Sequence, residues 1–158
     1  MPSFQRKERL MLEGDRAILS VCTRCRVPGD GCALEERPGY RLAQRIKTQF
    51  SKSDAARLGV ELRGVRCMSQ CKRHCVVALS GTGKFTLVFG DLDASTDADA
   101  ILQLAAQYAV APDGQIERPD RPEPLRAGIL GRIPPLAFDG EQIDTTFTIK
   151  PTDCEEVL

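Results

Sequence analysis

The chain carries its most informative stretch at residues 66–75, Arg66-Cys67-Met68-Ser69-Gln70-Cys71-Lys72-Arg73-His74-Cys75. The three cysteines of this stretch lie within nine residues, at C-x3-C-x3-C spacing. A second group lies upstream at Cys22-Thr23-Arg24-Cys25, with Cys32 a few residues beyond, whereas Cys154 is isolated. Thiols placed this densely indicate a shared chemical role rather than packing, so we expect the fold to bring the two groups together around metal.

The composition is that of a charge-balanced chain of 158 residues with 22 basic and 22 acidic side chains. A net charge of zero gives no general attraction to nucleic acid or to an anionic membrane, so we expect neither as a partner. No apolar run approaches the roughly 20 residues that cross a bilayer, and residues 1–16 lack the apolar segment of a signal peptide. We therefore expect a cytoplasmic protein, in which clustered cysteines indicate metal binding or catalysis rather than disulfides.

The apolar pattern predicts an α/β fold. Short runs rich in β-branched and aromatic residues predict four strands, at residues 17–22, 60–65, 76–79 and 85–89. Apolar residues at helical spacing predict two helical regions, at residues 40–58 with an interruption at 51–54, and from a cap at Ser95, Thr96 or Asp97 to residue 109. The predicted order is β-α-β-β-α, followed by a tail.

This order predicts how the two cysteine groups meet. Cys22 ends the first predicted strand, and Cys67 follows the second. If these strands pair in parallel through a helical crossover, their exit loops lie side by side at one end of the sheet. Ligands that are far apart in sequence would then converge.

Three segments are expected along the chain: a flexible N-terminal arm at 1–16, a metal-binding domain at 17–112 and a proline-rich C-terminal extension at 113–158. Residues 112–135 contain six prolines and predict extended or turn-rich backbone. Within the extension, residues 125–130 could form one or two helical turns, and residues 145–149 an edge strand.

Two metal chemistries suit the cysteines. A 2Fe–2S cluster needs four ligands, and the chain supplies Cys22 and Cys25 from one loop and Cys67 and Cys71 from the other. Structural zinc also accepts four Cys, or three Cys and one His, and His74 is the one histidine of the sequence. Zinc ribbons, however, favour two C-x2-C pairs with a shorter separation than this chain has.

Two interpretations without metal remain. A C-x2-C pair after a strand is also the motif of a thioredoxin-like dithiol, but such a pair normally opens a helix, whereas Pro28, Gly29 and Gly31 follow Cys25 closely. The sequence between Pro38 and Pro112 also lacks the proline that those enzymes place opposite the dithiol. The cysteines could, finally, be ordinary buried residues. We find no catalytic constellation and expect no enzymatic activity.

The motifs together resemble those of a bacterial domain-of-unknown-function family described as predicted metal-binding proteins, similar to the thioredoxin-like 2Fe–2S ferredoxins. The resemblance rests on the two cysteine motifs, the 76–79 strand, the Gly83–Leu92 stretch and the tail, where Glu117-Arg118-Pro119 precedes residues 125–135. It implies a thioredoxin-like ferredoxin core within residues 17–112. The implied function is that of a 2Fe–2S single-electron carrier for a partner enzyme; the alternative is a non-redox accessory protein that binds zinc or cobalt.

By this resemblance the cluster ligands are Cys22, Cys25, Cys67 and Cys71. Cys75 also belongs to the family pattern and is a further candidate ligand. The chain has His74 where the family usually has Pro, which keeps a zinc site of three Cys and one His open. Cys32 and Cys154 lie outside the pattern.

Basic residues surround the proposed ligands. No acidic residue occurs between Leu62 and Gly90, whereas seven cations lie there or beside Cys25: Arg24, Arg26, Arg63, Arg66, Lys72, Arg73 and Lys84. Such a charge run can be a plain solvated surface. The functional alternative is a docking face for a redox or metal-handling partner protein, formed by Arg24, Arg26, Arg66, Lys72 and Arg73.

Overall fold

A computed structural model describes residues 16–29 and 33–151 of the chain. Within them the fold is mixed α/β, with five strands, which are β1 (Ala17–Cys22), β2 (Glu61–Val65), β3 (Val77–Gly81), β4 (Thr86–Phe89) and β5 (Ile129–Ile133). The α helices are α1 (Pro38–Phe50), α2 (Asp54–Arg57) and α3 (Ala98–Val110). Single 3-10 turns lie at Leu34–Glu36, Cys71–Arg73, Arg118–Asp120, Glu123–Leu125 and Thr145–Phe147.

The strands form one sheet in the order β2-β1-β3-β4-β5. β1 and β2 are parallel, with Cys22 opposite Val65, and the other neighbours are antiparallel. The predicted parallel pairing of the first two strands is therefore confirmed. Its consequence is that the chain leaves both strands at the same end of the sheet.

The helices pack on each other and on the central strand. Helices α1 and α3 contact each other, and both contact β1. The apolar face of α1 buries Leu42 and Ile46, whose four-residue spacing places them on one side of the helix. Tyr108 of α3 is fully buried, and its hydroxyl donates to the carbonyl oxygen of Phe85 over 2.7 Å.

The boundaries of α1 and α2 follow local signals. Pro38 stands at the first position of α1, where its fixed φ suits a helix start and its missing N–H costs nothing. The predicted interruption at 51–54 is present, because the Ser53 side chain accepts the N–H of Ala56 and starts α2 anew.

The C-terminal extension departs from its predicted secondary structure. Residues 129–133 form β5, which pairs with β4, where helical turns were expected up to residue 130. Residues 145–147 form a 3-10 turn rather than an edge strand, because the Asp144 side chain accepts the N–H of Thr146. Residues 1–15 of the predicted arm lie outside the described residues. In the described part of the chain, no helix has both the length and the apolar character needed to cross a membrane.

Candidate metal centre

The loops that follow β1 and β2 are tied to each other at their first residues. The backbone N–H of Thr23 donates to the carbonyl oxygen of Val65 over 2.8 Å, and the Thr23 hydroxyl donates to the same oxygen over 3.3 Å. On the other side, the N–H of Cys22 donates to the carbonyl oxygen of Val76 over 3.0 Å. Cys22 is therefore held between the two segments that flank the C-x3-C-x3-C motif.

The first turn of α1 covers the Cys22–Cys25 loop. Cys22 and Cys25 are 3% and 2% exposed. The N–H of Gly39 donates to the carbonyl oxygen of Cys25 over 3.1 Å. A Cβ at residue 39 would lie 2.7 Å from the carbonyl oxygen of Cys22 and 2.9 Å from the Cβ of Cys25, so only glycine allows the helix to approach this closely.

Cys75 lies in the same buried region. It is 1% exposed, and its backbone pairs with Leu92, donating its N–H over 3.1 Å and accepting over 3.4 Å. The peptide bond between His74 and Cys75 is cis. Of the three cysteines in the second group, Cys75 is therefore the buried one.

Cys67 and Cys71, by contrast, are exposed. The Cys67 Sγ accepts the backbone N–H of Ser69 over 3.4 Å, in a tight turn where Ser69 adopts a φ of 58°. Cys71 begins a 3-10 turn and faces a cleft of about 620 Å³. Residues 26–29, which follow Cys25, also line this cleft, so segments of both cysteine groups border it.

The buried thiols shift one another's pKa values. The Cys25 thiol donates to the Cys22 sulfur, and together with the backbone N–H groups of Arg24, Met68 and Cys25 this lowers the pKa of Cys22 to about 5 against the opposing effect of burial. The same hydrogen bond, followed by burial, raises the pKa of Cys25. Burial, followed by the charge on Cys22, raises the pKa of Cys75 to about 12. Cys22 is therefore the favoured thiolate.

The donor chemistry of this end of the sheet fits a thiolate-bound metal group. Five cysteines of the described residues, all free, lie on the two loops and the segment before β3. The backbone N–H of Ser69 donates to the sulfur of Cys67, as N–H groups do to the sulfurs of iron–sulfur sites. As the side chains stand, no three His, Cys, Asp or Glu residues of the described ranges surround a common point as metal ligands. Because Cys67 and Cys71 are exposed, their side chains can change rotamer without displacing packed neighbours.

His74 is partly exposed and lies between the groups. Its Nδ1 is 3.2 Å from the carbonyl oxygen of Cys71. That contact leaves Nε2 as the ring nitrogen without a described partner. His74 therefore stays a candidate for the fourth ligand of a zinc site, as the sequence suggested.

Three of the seven cations that lie near the cysteines in sequence have partners within the protein. Lys84 is 3% exposed and donates to the carbonyl oxygens of Tyr108 and Ala109 at the end of α3, so it is a helix C-terminal partner and not part of a surface. Arg63 donates to the Ser20 hydroxyl over 2.7 Å. Arg73 forms a two-pronged ion pair with Asp91 at 2.6–2.9 Å.

Two features of the site had little or no signal in sequence. Gly39 belongs to no motif of the sequence analysis, and its contact with Cys25 depends on the packing of α1. The burial of Cys75 depends on backbone pairing with Leu92, 17 residues away, which no local pattern shows. Cys32 and Cys154, set aside in the sequence analysis, lie outside the described residues.

Comparison with known proteins adds a family and a distant structural likeness. The family described as "Protein of unknown function (DUF1636)" matches residues 19–135. No curated protein matches the chain. A thioredoxin-like [2Fe-2S] ferredoxin from Aquifex aeolicus is similar in structure, with a TM-score of 0.41 and 20% sequence identity. The similarity covers 55% of this chain and 76% of the ferredoxin chain.

Proposed function

The chain belongs to the DUF1636 family of proteins of unknown function, and we propose that it binds a 2Fe–2S cluster and passes single electrons to a partner enzyme. The ligands in this proposal are Cys22 and Cys25 from the loop after β1, and Cys67 and Cys71 from the loop after β2. Cys75 is a reserve ligand beside them. The protein in this proposal works in the cytoplasm, where clustered thiols stay reduced.

The observation that carries the proposal is the contact between the two cysteine loops. The backbone N–H of Thr23, which follows Cys22, donates to the carbonyl oxygen of Val65 over 2.8 Å. Residues 42 positions apart are thus in direct contact at one end of the sheet, and a free cysteine lies within two positions of each. Four cysteine ligands from two loops are what a 2Fe–2S cluster requires.

The surroundings of the ligands divide the site into a buried and an open half. Cys22 and Cys25 are buried under α1, whereas Cys67 and Cys71 are exposed at the cleft. A bound cluster would supply the one-electron chemistry. The chain would supply N–H groups that stabilise thiolates, a buried side that limits access of water, and an open side toward a partner.

The partner in this proposal is a protein with an acidic face. Arg24, Arg26, Arg66, Lys72 and Arg73 lie within two residues of a proposed ligand. Arg73 is already paired with Asp91, whereas the other four form no ion pair within the described residues. Such a patch favours association with an acidic surface, and the association should weaken as salt is raised.

A second candidate function is the storage or delivery of a single metal ion, zinc or cobalt. The position of Cys75 favours it, because Cys75, Cys22 and Cys25 lie in one buried region and influence each other's pKa. Three thiolates and one further ligand, from Cys67, Cys71 or His74, would complete a tetrahedral site.

Burial disfavours a dithiol that exchanges with other proteins. The hydrogen-bonded Cys22–Cys25 pair has the low-pKa thiol that such chemistry needs. Exchange also requires that the attacking sulfur reach a substrate disulfide. Cys22 is only 3% exposed, so its sulfur is closed to a protein partner.

The test is the metal content of the full chain purified without oxygen. The proposal expects about two iron and two acid-labile sulfides per chain. Zinc or cobalt near one per chain, with no sulfide, would replace the first candidate by the second. The absence of stoichiometric metal, with free thiols throughout, would contradict both.

A further inference from the structure

A cavity of about 420 Å³ opens beside the cysteine site, between the first half of α1 and residues 91–95. Its charged lining is formed by Arg41, Arg45, His74, Asp91 and Asp93. The volume is in the range of pockets that hold small molecules. His74 lines both this cavity and the cleft at Cys71, so the two are neighbours.

Two arginines, Arg41 and Arg45, supply positive charge to this pocket. They are four residues apart and therefore lie on one face of α1. Both side chains are exposed, and neither forms a hydrogen bond or ion pair with another residue of the described ranges. Two guanidinium groups on one wall of a concave pocket present planar donors of the kind that bind oxyanions in pairs.

The acidic residues of the pocket, in contrast, already have partners. Asp91 accepts three hydrogen bonds from Arg73, at 2.6–2.9 Å. Asp93 accepts the backbone N–H of Ser95 over 2.7 Å, and also the Ser95 hydroxyl. Neither carboxylate forms an ion pair with Arg41 or Arg45 within the described residues, although the charge of Arg41 adds to the Ser95 hydrogen bonds in lowering the pKa of Asp93. The guanidinium donors therefore remain available to a ligand.

We propose that the Arg41–Arg45 pocket binds a small molecule that carries an oxyanion, either a carboxylate or a phosphate. The two arginines contact the oxyanion, and His74 borders the side of the pocket next to Cys71. The two arginines that define this site are not proposed metal ligands, whereas His74, which borders it, is a candidate ligand of the zinc alternative.

The experiment titrates inorganic phosphate and citrate, separately and at constant ionic strength, into the full chain as isolated, with binding measured by calorimetry and by amide chemical shifts. The test variant is Arg41→Gln/Arg45→Gln. The matched control is Lys47→Gln/Lys52→Gln, which removes the same charge at or just after the end of α1 from side chains that do not line the pocket. Iron content is measured for each variant, so that a loss of metal is separated from a loss of anion binding.

Saturable binding of phosphate or citrate with shifts at residues 91–95 is the expected result, and which probe binds identifies the oxyanion. The test variant should lose about tenfold or more in affinity and the control less than about twofold. Absence of saturable binding for both probes would overturn the proposal. Equal losses in the two variants would also overturn it, because they would mean that general surface charge binds the probes.

Discussion

The backbone nitrogen of Thr23 lies 2.8 Å from the carbonyl oxygen of Val65, so the residue after β1 is hydrogen bonded to the last residue of β2. These residues are 42 positions apart in sequence, and each stands within two positions of a proposed ligand, Cys22 or Cys67. The hydrogen bond continues the parallel pairing of the strands into the loops. The sheet itself thus fixes the backbone positions from which the two cysteine groups start.

The first prediction concerns the identity of the ligands. Replacing Cys22, Cys25, Cys67 or Cys71 with Ser, one at a time, should remove most of the bound iron, because a 2Fe–2S cluster needs four ligands. Cys75→Ser should keep most of it. Iron and sulfide per chain are measured for each variant after identical oxygen-free purification, with Cys154→Ser as the control.

The opposite pattern would revise the ligand set. Full iron content in Cys67→Ser, combined with loss in Cys75→Ser, would make Cys75 the ligand. The variant Cys67→Ser/Cys75→Ser distinguishes true dispensability of Cys67 from rescue by Cys75, since rescue disappears in the double variant.

The parts of the fold that were predictable depend on short-range patterns. The apolar run at 17–22 and the alternation of apolar and polar residues at 60–65 predicted two strands. A helical crossover between them implied that both cysteine groups lie at one end of the sheet. Local rules suffice there because a parallel pair joined by a helix has essentially one hand and one exit side.

The parts that were missed depend on contacts between distant segments. Strand β5 contains Gly131 and lies between prolines, so its sequence favours turns, and only pairing with β4 makes it a strand. Lys84 was counted with the surface cations because lysine is rarely buried. Its burial depends on the end of α3, whose carbonyl groups need a donor at that point.

The second prediction concerns Gly39. Gly39→Ala should lower both iron content and thermal stability, because the new Cβ would meet the Cys22 carbonyl oxygen, and also the Cys25 nitrogen, at 2.7 Å. The loop or the helix must then shift. A loss of about 1–3 kcal/mol in the free energy of unfolding is expected for such overpacking. Iron analysis and thermal unfolding measure the two effects.

Gly131→Ala is the matched control for that change. Gly131 lies in β5, and nothing lies within 4 Å of an added Cβ there. Its iron content and stability should stay close to those of the parent chain. If Gly39→Ala were equally neutral, the close approach of α1 to the Cys22–Cys25 loop would not support the site.

The third prediction concerns the charge beside the cluster. A cluster with four thiolates gains a negative charge on reduction, so a nearby cation favours the reduced state. Lys72→Gln should lower the midpoint potential by some tens of millivolts or less, because solvent and salt screen an exposed charge; 59 mV corresponds to a tenfold change for one electron. Protein-film voltammetry at two salt concentrations measures the shift.

The ion pair of Arg73 and Asp91 provides the comparison. Arg73→Gln/Asp91→Asn removes one charge of each sign and should move the potential less than Lys72→Gln does. The Arg73 guanidinium holds the pKa of Asp91 below its usual value, so the pair is charged at neutral pH in the parent chain. An unchanged or higher potential in Lys72→Gln would show that Lys72 faces away from the cluster.

The fourth prediction concerns the metal-free chain at different pH. The pKa of Cys22 is lowered from 9.0 to about 5 in the fold, so the unfolded chain binds more protons than the native one between these values. Stability should therefore rise with pH from about 5 to about 9 and be lost as pH falls through 5. The raised pKa values of Cys25 and Cys75 act in the opposite sense above pH 9.

Urea unfolding of the metal-free chain under a reductant, between pH 5 and 10, measures this dependence. Cys22→Ser should remove the rise between pH 5 and 9, since serine does not ionise there. Parallel pH profiles for the parent chain and Cys22→Ser would mean that the Cys22 thiol is not ionised in the fold.

The central claim is that the two cysteine loops together hold a cluster that carries one electron. A reductive titration of the chain purified without oxygen, followed by visible absorption, tests it most directly. The account predicts a brown protein whose visible bands bleach on uptake of about one electron per chain and return on reoxidation. A colourless protein that takes up no electrons would contradict it.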